Sequence, residues 1–380
     1  MDYFKKSLEL HKKKKGKLEI KSKFPLKNKD DLSIAYTPGV AEPCRQIAKN
    51  PSDVYKYTIK GNSVAVVTNG TAVLGLGNIG PAAALPVMEG KCLLFKEFAN
   101  VDAYPICLDS QNIEEIIKAV KMIAPGFGGI NLEDIKAPEC FEIEERLKKE
   151  LDIPVFHDDQ HGTAIVILAA LINSLKVVNK KINQVKIIVN GAGAAGIATT
   201  KLLLSYGAKK IILIDRQGAI YKGRTGLNPA KKEMSRRTNL KKLKGRIEDV
   251  IEESDVFIGL SAPKILKKEW VKMMASKAIV FAMANPVPEI MPQEAKQAGA
   301  AITATGRSDF KNQINNVLAF PGVFRGLLDG RIKQVTEKMK ITAAQTLASL
   351  VKKPTPDKII PAVFEKDIAK KIALSIRDCP

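Results

Sequence analysis

The sequence predicts an α/β protein of two units, each a parallel sheet with helices on both faces, followed by extra C-terminal helices. Three observations carry this. The chain has 380 residues, beyond the roughly 250–300 at which a single core stops growing. Short β-branched runs alternate with longer helical stretches along most of it. A glycine-rich turn at Gly191 to Gly196 lies between one such run and a helix, as in the phosphate-binding turn of a doubly wound sheet.

In order, residues 63–68 (SVAVVT) read as a buried strand, followed by a glycine-rich turn and a helix starting near Pro81. Next come a strand at 104–108, a helix at 113–123, a strand at 129–132, a helix at 138–151 and a strand at 153–156. Residues 163–178 have the length and composition of a buried helix, and lead to a strand at 185–189 that opens the second unit. Strands at 210–214, 255–260, 278–283 and 301–304 follow, with helices between them. Helices near 316–328, 337–351 and 365–376 close the chain, and the expected boundary divides it into residues 1–160 and 161–380.

Composition narrows the function classes. Hydrophobic residues make up 45%, enough to bury two cores. The longest apolar candidate, residues 164–172, is far short of the ~20 that a membrane-spanning helix needs, so no membrane partner is expected. Five scattered cysteines without a close pair suit a reducing compartment, and the start of the chain has no apolar signal core, so a cytoplasmic location is expected. The formal charge of +21 comes mostly from lysine. Runs such as Lys12 to Lys15, and Lys241, Lys242 and Lys244, are not interleaved with aromatics and read as solvated surface rather than a nucleic-acid face. Such a field favours a dianionic substrate and a pyrophosphate cofactor.

The fingerprint Gly191-Ala192-Gly193-Ala194-Ala195-Gly196 follows the strand VKIIV and opens a helix. Its glycines allow a tight turn and let the backbone approach a pyrophosphate at the helix start, the Rossmann-type arrangement. Asp215, nineteen residues beyond Gly196 at the end of KIILI, is placed to accept both ribose hydroxyls. A carboxylate there repels the 2′-phosphate of NADP, whereas the neighbouring Arg216 could accommodate it, so NAD is expected with NADP left open. A second fingerprint, Gly75 to Gly80, has no acid at the right distance and reads as a packing loop before a helix with Pro81 at its first position.

Two acidic pairs, Glu133-Asp134 and Asp158-Asp159, fall where strands end. Ligands gather beyond the carboxyl ends of strands in open α/β sheets, so the pairs could converge on one hard cation, magnesium or manganese. Spacing alone leaves a metal site and two solvated turns equally open.

The segments Ala35-Tyr36-Thr37-Pro38-Gly39-Val40, LGLGNIGP at 74–81, Glu89-Gly90-Lys91, Asn131-Leu132-Glu133-Asp134, FHDDQHGTA at 156–164 and NNVLAFPG at 315–322 together resemble the malic enzymes in their short microbial form. The likeness runs from about Leu32 to Arg331. It implies oxidative decarboxylation of malate to pyruvate with NAD or NADP and Mn2+ or Mg2+, in a homodimer. It assigns the metal to Glu133, Asp134 and Asp159, the general base to Lys91 and the general acid to Tyr36. Asp158 would tune the lysine, and Asn285 and Asn316 would touch the substrate carboxylates. Without the resemblance, Lys91 and Tyr36 do not stand out from other lysines and tyrosines. His157 and His161 read as packing and hydrogen-bonding neighbours, since hard oxygen ligands do not need imidazole. One departure is Ala72, where the larger eukaryotic malic enzymes carry an arginine before the glycine loop. The rival readings are another two-domain dehydrogenase with structural acids, and a basic anion-binding protein that retains the fold.

Overall fold

The computed structural model describes residues 2–73 and 75–379. Strands β1 (Ser63–Thr68), β2 (Asp102–Cys107), β3 (Gly129–Leu132) and β4 (Val155–His157) form one sheet in the order β2-β1-β3-β4, all parallel. Strands β5 (Lys186–Asn190), β6 (Lys210–Asp215), β7 (Gly218–Ala219), β8 (Val256–Gly259), β9 (Ile279–Ala282) and β10 (Ile302–Thr305) form a second, in the order β10-β9-β8-β5-β6-β7. It is parallel except for the β6–β7 hairpin. The two-unit α/β architecture read from the sequence is the one observed.

β1 is buried along its whole length, which is why it reads as a continuous apolar run. Its alternate residues serve two cores: Val64 and Val66 face one, Ala65 and Val67 the other. The first core is continuous from Val64 through the helix Asp158–Val178 to Ile187 and Val189 of the second sheet. That helix is, among the described residues, the one long and apolar enough to cross a membrane, yet 72% of its most apolar window is buried inside the protein. It is a core helix joining the two units.

The helix also starts at Asp158, five residues before the expected 163. The acidic pair looks like loop chemistry in sequence, but two carboxylates in a first turn are stabilised by the positive end of the helix. At the other end of the chain, the expected helix at 316–328 is split into a 3₁₀ turn, Asn316–Leu318, and the helix Phe320–Asp329 with Pro321 in its first turn. Phe320 and Phe324 meet Phe95 with ring centroids at 4.7 and 5.2 Å, and Phe324 meets Phe156 at 5.7 Å. Edge-to-face pairs of this kind contribute about 0.5–1.5 kcal/mol each beyond burial, and they fasten the C-terminal helices to the first sheet. The helices Tyr3–Lys14, Lys29–Ala35 and Ala41–Lys49, which sequence reading did not anticipate, bury no residue.

Candidate active site

β3 and β4 are parallel neighbours with Leu132 opposite His157. The residues that follow each strand, Glu133-Asp134 and Asp158-Asp159, therefore emerge side by side at the carboxyl edge of the sheet. Asp134 adopts a left-handed conformation, φ 53°, and its N–H donates to Asp159 Oδ2 at 2.8 Å. Oxygens of Glu133, Asp134 and Asp159 all lie within 4.8 Å of one another.

Lys91 reaches this edge from the helix Pro81–Ala99 and is buried. Its Nζ lies 2.6 Å from Asp158 Oδ2, 2.9 Å from Glu133 Oε1 and 4.3 Å above the Phe320 ring. Asn316 Nδ2 donates to the same Asp158 Oδ2 at 2.5 Å. Asn131, one residue pair back along β3, donates to Glu133 Oε2 at 2.9 Å. Asp158 Oδ1 is buried and has no hydrogen-bond partner among the described residues. A Cβ at Gly162 would come within 1.8 Å of that oxygen, so the Asp-Asp-Gln-His-Gly sequence needs glycine there for the carboxylate to fold back over its own helix.

Burial pushes the carboxyls of Asp158 and Asp159 up to about 6, with Lys91 opposing the rise. Glu133 is raised for the same reason. Burial also works against the charge of Lys91, but Asp158, Glu133 and Asp159 outweigh it and hold the amine protonated. Glu133, Asp158 and Asp159 act on one ammonium, and Asp134 lies beside Glu133 and Asp159, so the carboxylates outnumber the cation.

His161 Nε2 lies 2.8 Å from Glu144 Oε1, and burial pushes its pKa down to about 4. Glu144 also accepts from the His157 N–H and from Gln160, tying the helix Glu139–Glu150 to the turn that carries the aspartates. Sequence reading missed Glu144 and Asn131. The signal for Glu144 was a lone acid beside the buried stripe Cys140, Ile143 and Leu147 of an amphipathic helix.

Three expected residues stand apart from the cluster. Tyr36 caps the end of the Lys29–Ala35 helix and is 67% exposed, with no hydrogen bond to the carboxylates. Asn285 follows β9. Its carbonyl faces Gly75, where a Cβ would meet it at 2.7 Å. The loop at 75–80, expected only to pack, thus abuts a candidate substrate residue, and Pro81 does open the helix behind it. Asp215 ends β6, and its carboxylate is bound by Arg224 at 2.7 and 2.8 Å and by Lys231 at 2.7 Å. Arg224 and Lys231 thus compensate the charge of Asp215, while Arg216, expected to accommodate a 2′-phosphate, occupies the exposed turn of the β6–β7 hairpin.

The glycine-rich turn at 191–196 lies between β5 and the helix Ala194–Ser205 that it opens. Gly191 has φ 119° and a Cβ there would meet the Leu260 carbonyl at 2.2 Å, while one at Gly196 would meet the Gly191 carbonyl at 1.7 Å. A Cβ at Gly193 would meet nothing within 4 Å among the described residues, and the helix begins directly after it at Ala194 and Ala195. Open space before a helix start is what a pyrophosphate requires.

Residues 160–379 match the family model described as malic enzyme, NAD binding domain, and residues 15–116 and 110–148 match malic enzyme, N-terminal domain. The bifunctional malic/malolactic enzyme of Bacillus subtilis is 57% identical over 373 residues, covering 97% of this chain and 91% of that one. The NAD-dependent malic enzyme of Geobacillus stearothermophilus is 58% identical over 363 residues, covering 95% and 76%. The crystal structure of an NAD-dependent malic enzyme from Thermotoga maritima superposes with a TM-score of 0.96 at 48% identity, covering 98% of this chain and 99% of the other. The chain therefore belongs to the malic enzymes in their short bacterial form, and the family's reaction, oxidative decarboxylation of malate with NAD(P), is its activity.

Proposed function

We propose that malate reacts at the carboxyl edge of β3 and β4, with Glu133, Asp134 and Asp159 holding a magnesium or manganese ion. The observation that carries this is the convergence of their oxygens within 4.8 Å in an anionic, largely buried setting. Hard carboxylate oxygens suit these cations, and the unpartnered Asp158 Oδ1 marks polar space beside them. Bound there, the ion supplies a Lewis acid for the substrate's oxygens. The dinucleotide, against Gly191, Gly193, Ala194, Ala195 and Gly196, supplies the hydride acceptor.

Lys91 is the base for the C2 hydroxyl: the charge of a bound cation would offset the carboxylates that otherwise hold the amine protonated, freeing it to take that proton, and Asp158 tunes it from 2.6 Å. Tyr36 returns a proton to C3 after CO2 leaves. Asn285 and Asn316 orient the substrate carboxylates. The working form is a homodimer, since the N-terminal arm exposes Phe4, Ile20, Phe24, Ile34 and Tyr36, an apolar set that a second copy would cover. Pairing is what brings Tyr36 against a lysine–carboxylate cluster. The arm and first sheet, to about residue 160, carry the acid, base and metal groups. Malate or pyruvate is the small-molecule partner, and the five free cysteines suit the cytoplasm.

The metal reading is tested by manganese binding as a function of pH. Protons and metal compete for the same oxygens, so affinity should fall as pH drops through the Asp159 value of about 6. One such group gives roughly a tenfold loss between pH 7.5 and pH 5. A flat profile would count against Asp159 as a ligand.

A further inference from the structure

We infer that the adenosine end of the cofactor site takes a 2′-phosphate, held by Lys231 and Arg216, so that NADP serves this chain at least as well as NAD. The inference rests on the dinucleotide reading of the Gly191 to Gly196 turn and deepens it.

A free carboxylate at the end of the second strand accepts the ribose hydroxyls and repels a phosphate. Asp215 is not free. An ionised carboxylate offers about four acceptor positions, and four contacts from three donor groups occupy them. Oδ1 accepts from the Gln217 N–H at 3.0 Å and from Arg224 Nη2 at 2.7 Å. Oδ2 accepts from Arg224 Nη2 at 2.8 Å and from Lys231 Nζ at 2.7 Å. A ribose hydroxyl can bind only by displacing one of them. Two cations also face one carboxylate, so the local charge is positive before the exposed Arg216 is counted.

The two partners differ in what they have left to give. Arg224 donates to the carbonyls of Gly218 and Ala219 and to Gln217 as well as to Asp215, and its side chain is only 9% exposed. It is a brace. Lys231 spends one hydrogen bond on Asp215, keeps others free and is partly open to solvent. Asn228 fixes it by capping the helix Pro229–Arg237 through the Lys231 N–H at 2.9 Å. The hairpin that presents Arg216 is equally fixed, because Gly218 has φ 110° and a Cβ there would meet the Gly245 carbonyl at 2.4 Å.

Calorimetric titration of the full chain with adenosine 2′,5′-bisphosphate and with 5′-AMP tests this. The bisphosphate should bind at least fivefold tighter. Lys231→Met should lower the ratio of the two affinities tenfold or more, and Arg216→Gln, at an exposed turn, at least threefold. Tighter binding of 5′-AMP by the wild-type chain, or a ratio unmoved by both variants, would overturn the inference while leaving the dinucleotide site standing. Failure of both nucleotides to bind would overturn the dinucleotide reading together with it.

Discussion

Asp159→Asn is expected to weaken manganese binding on the order of a hundredfold and to reduce malate turnover by at least as much. The substitution keeps the side-chain volume but removes one of three anionic ligands, and it sets an amide where the Asp134 N–H now donates to Oδ2. The fold should not suffer. Burial and the neighbouring Asp158 raise the Asp159 pKa to about 6, above its unfolded value, so at neutral pH the charge costs stability in the metal-free chain and its loss relieves that cost. The metal-free variant should therefore melt at or above the wild-type temperature. Near-normal manganese affinity in this variant would remove Asp159 from the ligand set.

Tyr36→Phe should lower malate turnover by about 10²- to 10⁴-fold, the usual contribution of a general acid. The side chain is exposed within one chain and makes no hydrogen bond with the cluster, so folding and metal binding should survive. Misplaced substrate could imitate the loss, and a partial reaction separates the two. With metal and reduced cofactor, the wild-type enzyme should exchange the methyl hydrogens of pyruvate with deuterated solvent, and in Tyr36→Phe that exchange should fall at least as far as turnover. Exchange at the wild-type rate alongside collapsed malate oxidation would move Tyr36 to the oxidation half of the reaction.

Much of this site is written locally. β1 and β3 are legible because strands buried on both faces are continuous apolar runs, and the acidic pairs are legible because they follow such runs directly. Their convergence, however, depends on the parallel pairing of Leu132 with His157, which spacing leaves open. Lys91 sits on a helix among many lysines, and Tyr36 on an exposed arm, so neither carries a local mark of function. Their candidacy comes from the family motifs. Arg224 and Lys231 were missed for a different reason: the turn between β6 and β7 folds the chain back so that residues nine and sixteen positions away reach Asp215. The N-terminal helices were missed because, burying nothing within one chain, they leave no apolar stripe to read.

The most direct test follows malate labelled at C4 in the presence of NAD or NADP, with manganese and again after chelation. One CO2 should be released for each reduced nicotinamide and each pyruvate formed, all three should vanish when the metal is removed, and all three should return together when manganese is restored. Reduced nicotinamide formed without CO2, or turnover undiminished in the metal-free enzyme, would contradict a decarboxylating centre built on Glu133, Asp134 and Asp159.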